Sequence, residues 1–295
     1  MNFLQTAQII SSNRVMREIV YGGHLLAIGT ASIAASSAVL LGRSPTLILL
    51  VMAYLFSYGA YMLNRGAEVT QDSISDPTRT SFLRGRSKYL TAISGLSFGI
   101  GYVLAATVSL TFLGALLAPL VLAIAYTVGS KKLVRLIGAK RLKDKLLVKN
   151  VVISFGWSLI PILVGLYYRN IPVSLLALSP FVFLRLMSNT VFFDLRDVRA
   201  DGEFGVRTVP VVYGSNFSYV FMTIFDLLSA AYIVFLVAAH LFPFYSLVML
   251  FLPLYSLSYR WVSQRPGSDI GFLCNFVADG EYLLWGPILV LGKVI

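Results

Sequence analysis

The chain has 295 residues, of which 57% are hydrophobic and 13% charged, and its mean hydropathy is +0.79. Soluble domains carry about a quarter charged residues, so a water-soluble globule is excluded; the lone Cys274 likewise excludes an intrachain disulfide or a cysteine metal cage. The net charge of +11 suits the loops of a membrane protein and gives no reason to invoke nucleic acid as a partner, since no basic–aromatic module accompanies it.

The first twenty residues are too polar for a secretory signal peptide and, with Arg14, Arg17 and Glu18, read as an interfacial segment. Apolar runs follow at about Gly23–Gly42, Pro45–Asn64, Tyr89–Leu110, Phe112–Ser130, Leu147–Tyr168, Pro172–Phe193, Phe217–Leu241, Pro243–Trp261 and Leu273–Val294. Each is close to the roughly 20 residues that cross a bilayer core. They predict an all-α, polytopic membrane protein: a bundle of about nine transmembrane helices in one domain, residues 1–295, with an interior cavity opening to the cytoplasmic loops. The short alternating segments of a transmembrane barrel are absent. Pro45, Pro172 and Pro243 stand where helices start. Gly95, Gly99, Gly101, Pro119, Pro161 and Pro180 fall inside runs, where a membrane bundle tolerates them.

Orientation follows from the loops. With the N-terminus inside, the inner segments hold Arg14 and Arg17, the cluster Arg65 to Lys88, the basic run Lys131 to Lys149, then Arg196, Arg199, Arg207, Arg260 and Arg265. The outer segments hold Arg43, Arg169 and Lys293. The asymmetry places the N-terminus and both acidic stretches described next on the cytoplasmic side of the cell membrane.

One acidic stretch, Glu68, Asp72 and Asp76, follows the second run at i, i+4, i+8. The other, Asp194, Asp197 and Asp201, follows the sixth at i, i+3, i+7. Either spacing puts three carboxylates on one helical face. Such carboxylates need cations between them. Neighbouring arginines and salt-bridged helix extensions are one answer. The sharper one is Mg²⁺ on a diphosphate, with Lys and Arg taking the remaining negative charge.

The second stretch continues as Asp194-Leu-Arg-Asp197-Val-Arg-Ala-Asp201-Gly-Glu-Phe-Gly205-Val-Arg207-Thr208-Val-Pro210 and on to Gly214. It resembles the second aspartate-rich motif, DxxDxxxD, of the UbiA superfamily of intramembrane prenyltransferases. The first motif of that family, NDxxDxxxD, is matched by Asn64 and Asp72, with Glu68 in place of one Asp and Arg65 in place of the other. Tyr126 with Lys131 and Lys132 resembles the Tyr-and-basic segment that ends the family's fourth helix.

The resemblance implies Mg²⁺-dependent transfer of an isoprenyl group from an isoprenyl diphosphate to an aromatic or other lipophilic acceptor, within membrane lipid. Quinone-ring precursors, glycerol phosphate lipids, porphyrins, tetrapyrrole pigments and carotenoids all serve as acceptors in the superfamily. It makes Glu68, Asp72, Asp194, Asp197 and Asp201 the metal ligands, and Asp72, Asp194, Asp197 and Tyr126 the catalytic set. Asn64, Arg65, Arg79, Lys131, Lys132 and Arg207 become diphosphate contacts. For several of these a plainer role stands alongside: Asn64 as the cap of a kinked helix, Arg65 facing solvent or headgroups, Arg207 pairing with Glu203. Most of the basic run 131–149 reads as headgroup-binding, and Asp76, before Pro77, reads as a helix end. Arg185 and Asn189, one turn apart inside the sixth run, read as cavity-lining, with ion pairing inside the bundle as the other possibility. Tyr126 and Trp157 could face a carbocation or simply pack. Asp226, Asp279 and Glu281 are further intramembrane acids that nothing in the sequence separates. Two other functions remain open: a transporter built on charges such as Arg185 and Asp226, and an inactive family member that binds a prenyl lipid.

Overall fold

The computed structural model describes residues 13–67, 69–127 and 145–294, which form helices, with no strand among the described residues. Helix α1 (Arg14–Tyr21) is short and amphipathic; the Asn13 side chain caps it by accepting from Val15 N at 2.9 Å and Met16 N at 3.3 Å. It meets α2 (His24–Leu40) at a 60° bend. Helix α2 packs along α14 (Asp279–Val294). At the centre of that contact a Cβ on Gly29 would lie 2.4 Å from the Tyr282 Cβ, so glycine is what lets the two backbones approach. Ser32 Oγ ties the pair, donating to Leu283 O at 3.0 Å and accepting from Gly286 N at 2.8 Å.

Helix α3 (Leu47–Ala67) leads into α4 (Val69–Ser75) and α5 (Pro77–Arg84), then α6 (Leu90–Ala106), α7 (Leu110–Ala115) and α8 (Leu117–Thr127). After residue 144 come α9 (Val148–Ser158), α10 (Ile160–Tyr167), α11 (Val173–Glu203) and α12 (Val209–Ala238). A 3₁₀ segment, Phe244–Leu250, precedes α13 (Phe251–Ser263), and a π-helical segment, Leu273–Ala278, runs into α14.

Among the described residues four stretches are long and apolar enough to cross a membrane: Leu47–Ala67, Val148–Tyr167, Val173–Glu203 and Val209–Ala238. The bent pair α1–α2 makes a fifth if taken as one span. The remaining apolar runs are carried by shorter or interrupted helices. The run from Phe112 breaks between α7 and α8, that from Pro243 opens in 3₁₀ turns, and that from Leu273 opens in a π segment. Hydrophobicity records that a stretch avoids water, not that its helix is continuous, so breaks inside apolar runs are invisible to it. Large apolar side chains such as Leu96, Val103, Val121, Leu228, Phe235 and Leu254 stay exposed on the outer surface, as a lipid-facing surface requires.

Helix α11 is the hub. Of its most apolar stretch 72% is buried, against 22–33% for the other three long helices. Leu178, Phe181, Val182 and Leu186 pack there with Ile233 of α12 and Trp285 of α14. The helix ends in a left-handed turn at Gly205 (φ +71°), where Val206 N donates back to Asp201 O at 2.8 Å.

Candidate active site

A cavity of about 370 Å³ lies among α2, α3, α8, α9, α10 and α11. Helix α3 gives it one continuous face at helical spacing: Leu49, Met52, Phe56, Ala60, Asn64 and their neighbours. One end is apolar, closed by Leu49, Met52, Phe112 and Leu163. At the other end Asp72, Asp197 and Asp201 meet Arg65, Arg79, Lys149 and Arg196.

The polar end is cross-linked across distant parts of the chain. Arg65 lies over the Tyr61 ring, 4.7 Å from its centroid, and its Nη1 donates to Asp72 Oδ2 at 2.7 Å. Gln71 Nε2 donates to Asp201 Oδ1 at 2.9 Å, which joins the two acidic stretches directly. Lys149 Nζ stands between Asp194, at 2.7 Å, and Asp201, at 3.3 Å. Asp197 accepts from Arg196 Nε at 2.7 Å and Nη2 at 3.0 Å. Asn275, in the π segment, accepts from Arg79 at 3.2 Å and Arg196 at 2.9 Å and donates to Asp76 at 2.5 Å. Asp76 itself caps α5, accepting from Arg79 N at 3.0 Å. Burial would push its carboxyl up, but the Arg79 and Arg196 guanidiniums, with the hydrogen bonds from Arg79 N and Asn275, outweigh that and hold it below the ordinary carboxylate value.

Of the expected site residues, the structure brings Asn64, Arg65, Asp72, Arg79, Asn189, Asp197 and Asp201 to this one cavity. Glu68, Lys131, Lys132 and the Tyr126 side chain lie outside the described residues. Asp194 is fully buried but off the cavity wall, packed behind Lys149 and Asn150, whose Nδ2 donates to it at 2.7 Å. Two expectations are corrected. Arg185 does not line the cavity: it bonds to Asp226 and, at 2.5 Å, to Glu281 within the bundle core, where a buried charge requires an opposite one. That network also takes in Arg260, Ser256 and Tyr259, and it encloses the charges on which a transport reading would depend. Arg207 is exposed and does not line the cavity, although its neighbour Val206 does. After the turn at Gly205 the chain is extended, so Val206 faces in and Arg207 faces out, while Glu203 pairs with Arg199 at 3.0 Å.

Sequence reasoning passed over Lys149, Gln71 and Asn275. Lys149 was hidden among basic neighbours, yet it stands at the threshold of an apolar run. Asn275 carried a clearer signal, since a polar amide inside an apolar run is expensive.

The donor set suits Mg²⁺ in chemistry: Asp72, Asp197 and Asp201 offer hard carboxylate oxygens to one space. Gln71 Oε1 beside them is a buried acceptor without a hydrogen-bond partner among the described residues, as a site built to receive a cation or its water would leave. No group of three His, Cys, Asp or Glu is gathered into a ready cage among the described residues. Mg²⁺ needs none, because it keeps waters and takes phosphate oxygens as ligands.

A model of the UbiA prenyltransferase family matches residues 25–277. The chain belongs to that family. The match takes in both acidic stretches, the cavity helices from α2 to α11 and the π segment up to Val277. The chain is 32% identical over 101 residues to the digeranylgeranylglyceryl phosphate synthase of Methanothermobacter thermautotrophicus, a match covering 34% of this chain and 36% of that relative. Its fold is similar to that of a UbiA homologue from Archaeoglobus fulgidus solved with DMAPP and Mg²⁺ (TM-score 0.66, 14% identity, 94% of this chain and 98% of that one). The UbiA homologue of Aeropyrum pernix K1, solved without ligand, is similar too (TM-score 0.65, 14% identity, 91% and 96%).

Proposed function

We propose that this protein is an Mg²⁺-dependent prenyltransferase that moves an isoprenyl group from its diphosphate to a lipophilic acceptor. The observation that carries this is the two-ended cavity: both acidic stretches and four cations at one end, an apolar chamber at the other. Asp72, Asp197 and Asp201 would hold Mg²⁺, which supplies charge neutralisation to the leaving diphosphate. Arg65, Arg79 and Lys149 take the remaining phosphate charge and orient it. The chamber receives the prenyl chain and keeps water from the allylic cation, which the ring faces of Trp157 and Tyr282, 4.8 Å apart, flank. Asp194 acts one step back by fixing Lys149. The M. thermautotrophicus relative favours a glycerol phosphate lipid as the acceptor. In this reading residues 1–295 form one domain of about nine spans, and the polar end faces the cytoplasm.

The test uses the full chain in lipid nanodiscs with Mg²⁺, geranylgeranyl diphosphate and a membrane lipid extract. Diphosphate release and a new prenylated lipid by mass spectrometry are expected. Asp197→Ala should lower both by about 100-fold or more, the scale of losing one group that stabilises the leaving charge. Undiminished release by that variant would sink the role given to Asp197.

A further inference from the structure

Three acids stand within the apolar runs of the C-terminal half, and the structure separates them. Asp226 is held by Arg185, Arg260 and Ser256, and Glu281 by Arg185 and Tyr259. Asp279 is different. It lines the cavity, and while its backbone N–H donates to Cys274 O and Phe276 O, its carboxylate makes no hydrogen bond and no ion pair among the described residues. Two residues apart on α14, Asp279 and Glu281 are turned about 200° from each other. Glu281 therefore enters the core network while Asp279 meets the cavity. The start of the helix is pinned by Asn189 Nδ2, which donates to Ala278 O at 3.3 Å, directly after the π segment Leu273–Ala278. Tyr282, one turn on, and Trp157 complete the wall beside it. The Arg196, Arg79 and Arg65 guanidiniums act on Asp279 through space, but none is bonded to it.

We propose that Asp279 is the catalytic base that receives the proton released when the acceptor is prenylated. This rests on the prenyltransferase reading. The bond between the allylic carbon and the diphosphate oxygen breaks, and its electron pair leaves with the diphosphate. A lone pair or π pair of the acceptor X–H forms the new bond to that carbon. The proton on X passes to an Asp279 oxygen and later to solvent, so charge and atoms balance. The two aspartate motifs are already engaged with cations and hold the leaving group. Among the described residues Asp279 is the cavity carboxylate left free to take a proton on the acceptor's side, next to the aromatic pair.

The test compares wild type, Asp279→Asn and Asp279→Glu in nanodiscs with Mg²⁺, geranylgeranyl diphosphate and a membrane lipid extract. Binding of geranylgeranyl thiolodiphosphate is measured alongside and shows that the variants are folded. Asp279→Asn should bind the analogue within about 3-fold of wild type and lose lipid prenylation by about 100-fold or more, the range for a general base. Diphosphate release should fall far less, so that geranylgeraniol from water capture becomes the larger share of product. Asp279→Glu should recover part of the transfer. Transfer by Asp279→Asn within about 3-fold of wild type would overturn the proposal. So would an equal fall in analogue binding and diphosphate release, which would assign Asp279 to the diphosphate instead. A wild-type protein that neither releases diphosphate nor binds the analogue would overturn the prenyltransferase reading itself, and this inference with it.

Discussion

Replacing Arg185 by Leu isolates the charge network of the bundle core. Arg185 is fully buried and donates to Asp226, to Glu281 Oε1 from Nε at 3.2 Å and from Nη2 at 2.5 Å, and to Leu252 O at 3.3 Å. With Arg260 the network holds two positive and two negative side chains. Leucine in place of Arg185 leaves two fully buried carboxylates facing one guanidinium. Breaking such a buried pair costs about 3–5 kcal/mol. Adding Glu281→Gln restores the balance, since Asp226 keeps Arg260 and Ser256, and Gln can still bond to Tyr259. The double variant should therefore be more stable than Arg185→Leu alone, by about 1–3 kcal/mol on the desolvation cost of the charge removed. Trp285, buried in the same core, reports unfolding by fluorescence during denaturation in mixed micelles. Binding of a prenyl thiolodiphosphate to the folded variant should stay within about 3-fold of wild type, because Arg185 does not reach the cavity. A loss below about 1 kcal/mol, or a double variant no more stable than Arg185→Leu, would refute the reasoning.

The remaining two predictions concern Arg65 and Glu18. Arg65→Asp removes the guanidinium from Asp72 and adds a second carboxylate beside it. Charged hydrogen bonds are worth about 1.5–3 kcal/mol, so thiolodiphosphate affinity and transfer should drop by about 10- to 100-fold; unchanged or improved transfer would show that Arg65 makes no essential diphosphate contact. Glu18 accepts from Arg86 at 2.5 and 2.7 Å, and those hydrogen bonds hold its carboxyl below the ordinary value of 4.5 despite partial burial, which pushes the other way. A lowered carboxyl stabilises the fold above the unfolded value and loses that contribution as pH falls through the folded one. Unfolding midpoints of wild type and Glu18→Gln should thus differ at pH 7 and converge towards pH 3, and a gap that persisted at pH 3 would contradict the pairing.

The helical class and the pairing of two acidic stretches were legible in the sequence because both are periodic signals. Apolar runs of about 20 residues mark the spans, and i, i+4 or i, i+3 spacing marks a common face. Arg185 shows where that legibility stops. A charge inside an apolar run announces that it needs partners, but whether these are substrate or Asp226 and Glu281 depends on how α12 and α14 pack against α11. Arg207 failed for the opposite reason, since a local left-handed turn at Gly205 reverses which side chains face inward. Lys149 and Gln71 were missed because each bonds a carboxylate from a distant part of the chain, and no local pattern records such a pairing.

The two acidic stretches also prove joined once their partners are traced. Among the described residues of the first, Asp72 meets Arg65 and Arg79, and Asp76 meets Arg79 and Arg196. In the second, Asp197 is paired with Arg196, while Asp194 and Asp201 share Lys149. Arg196 thus serves both stretches and, with the Gln71–Asp201 hydrogen bond, ties them into one charged face. Under the prenyltransferase reading a change in one stretch is therefore felt by the other, because they share Arg196 and the Gln71 bridge. In that reading Asp72, Asp197 and Asp201 would hold the metal, Arg65 and Arg79 would take phosphate charge, and the apolar face of α3 would receive the prenyl chain.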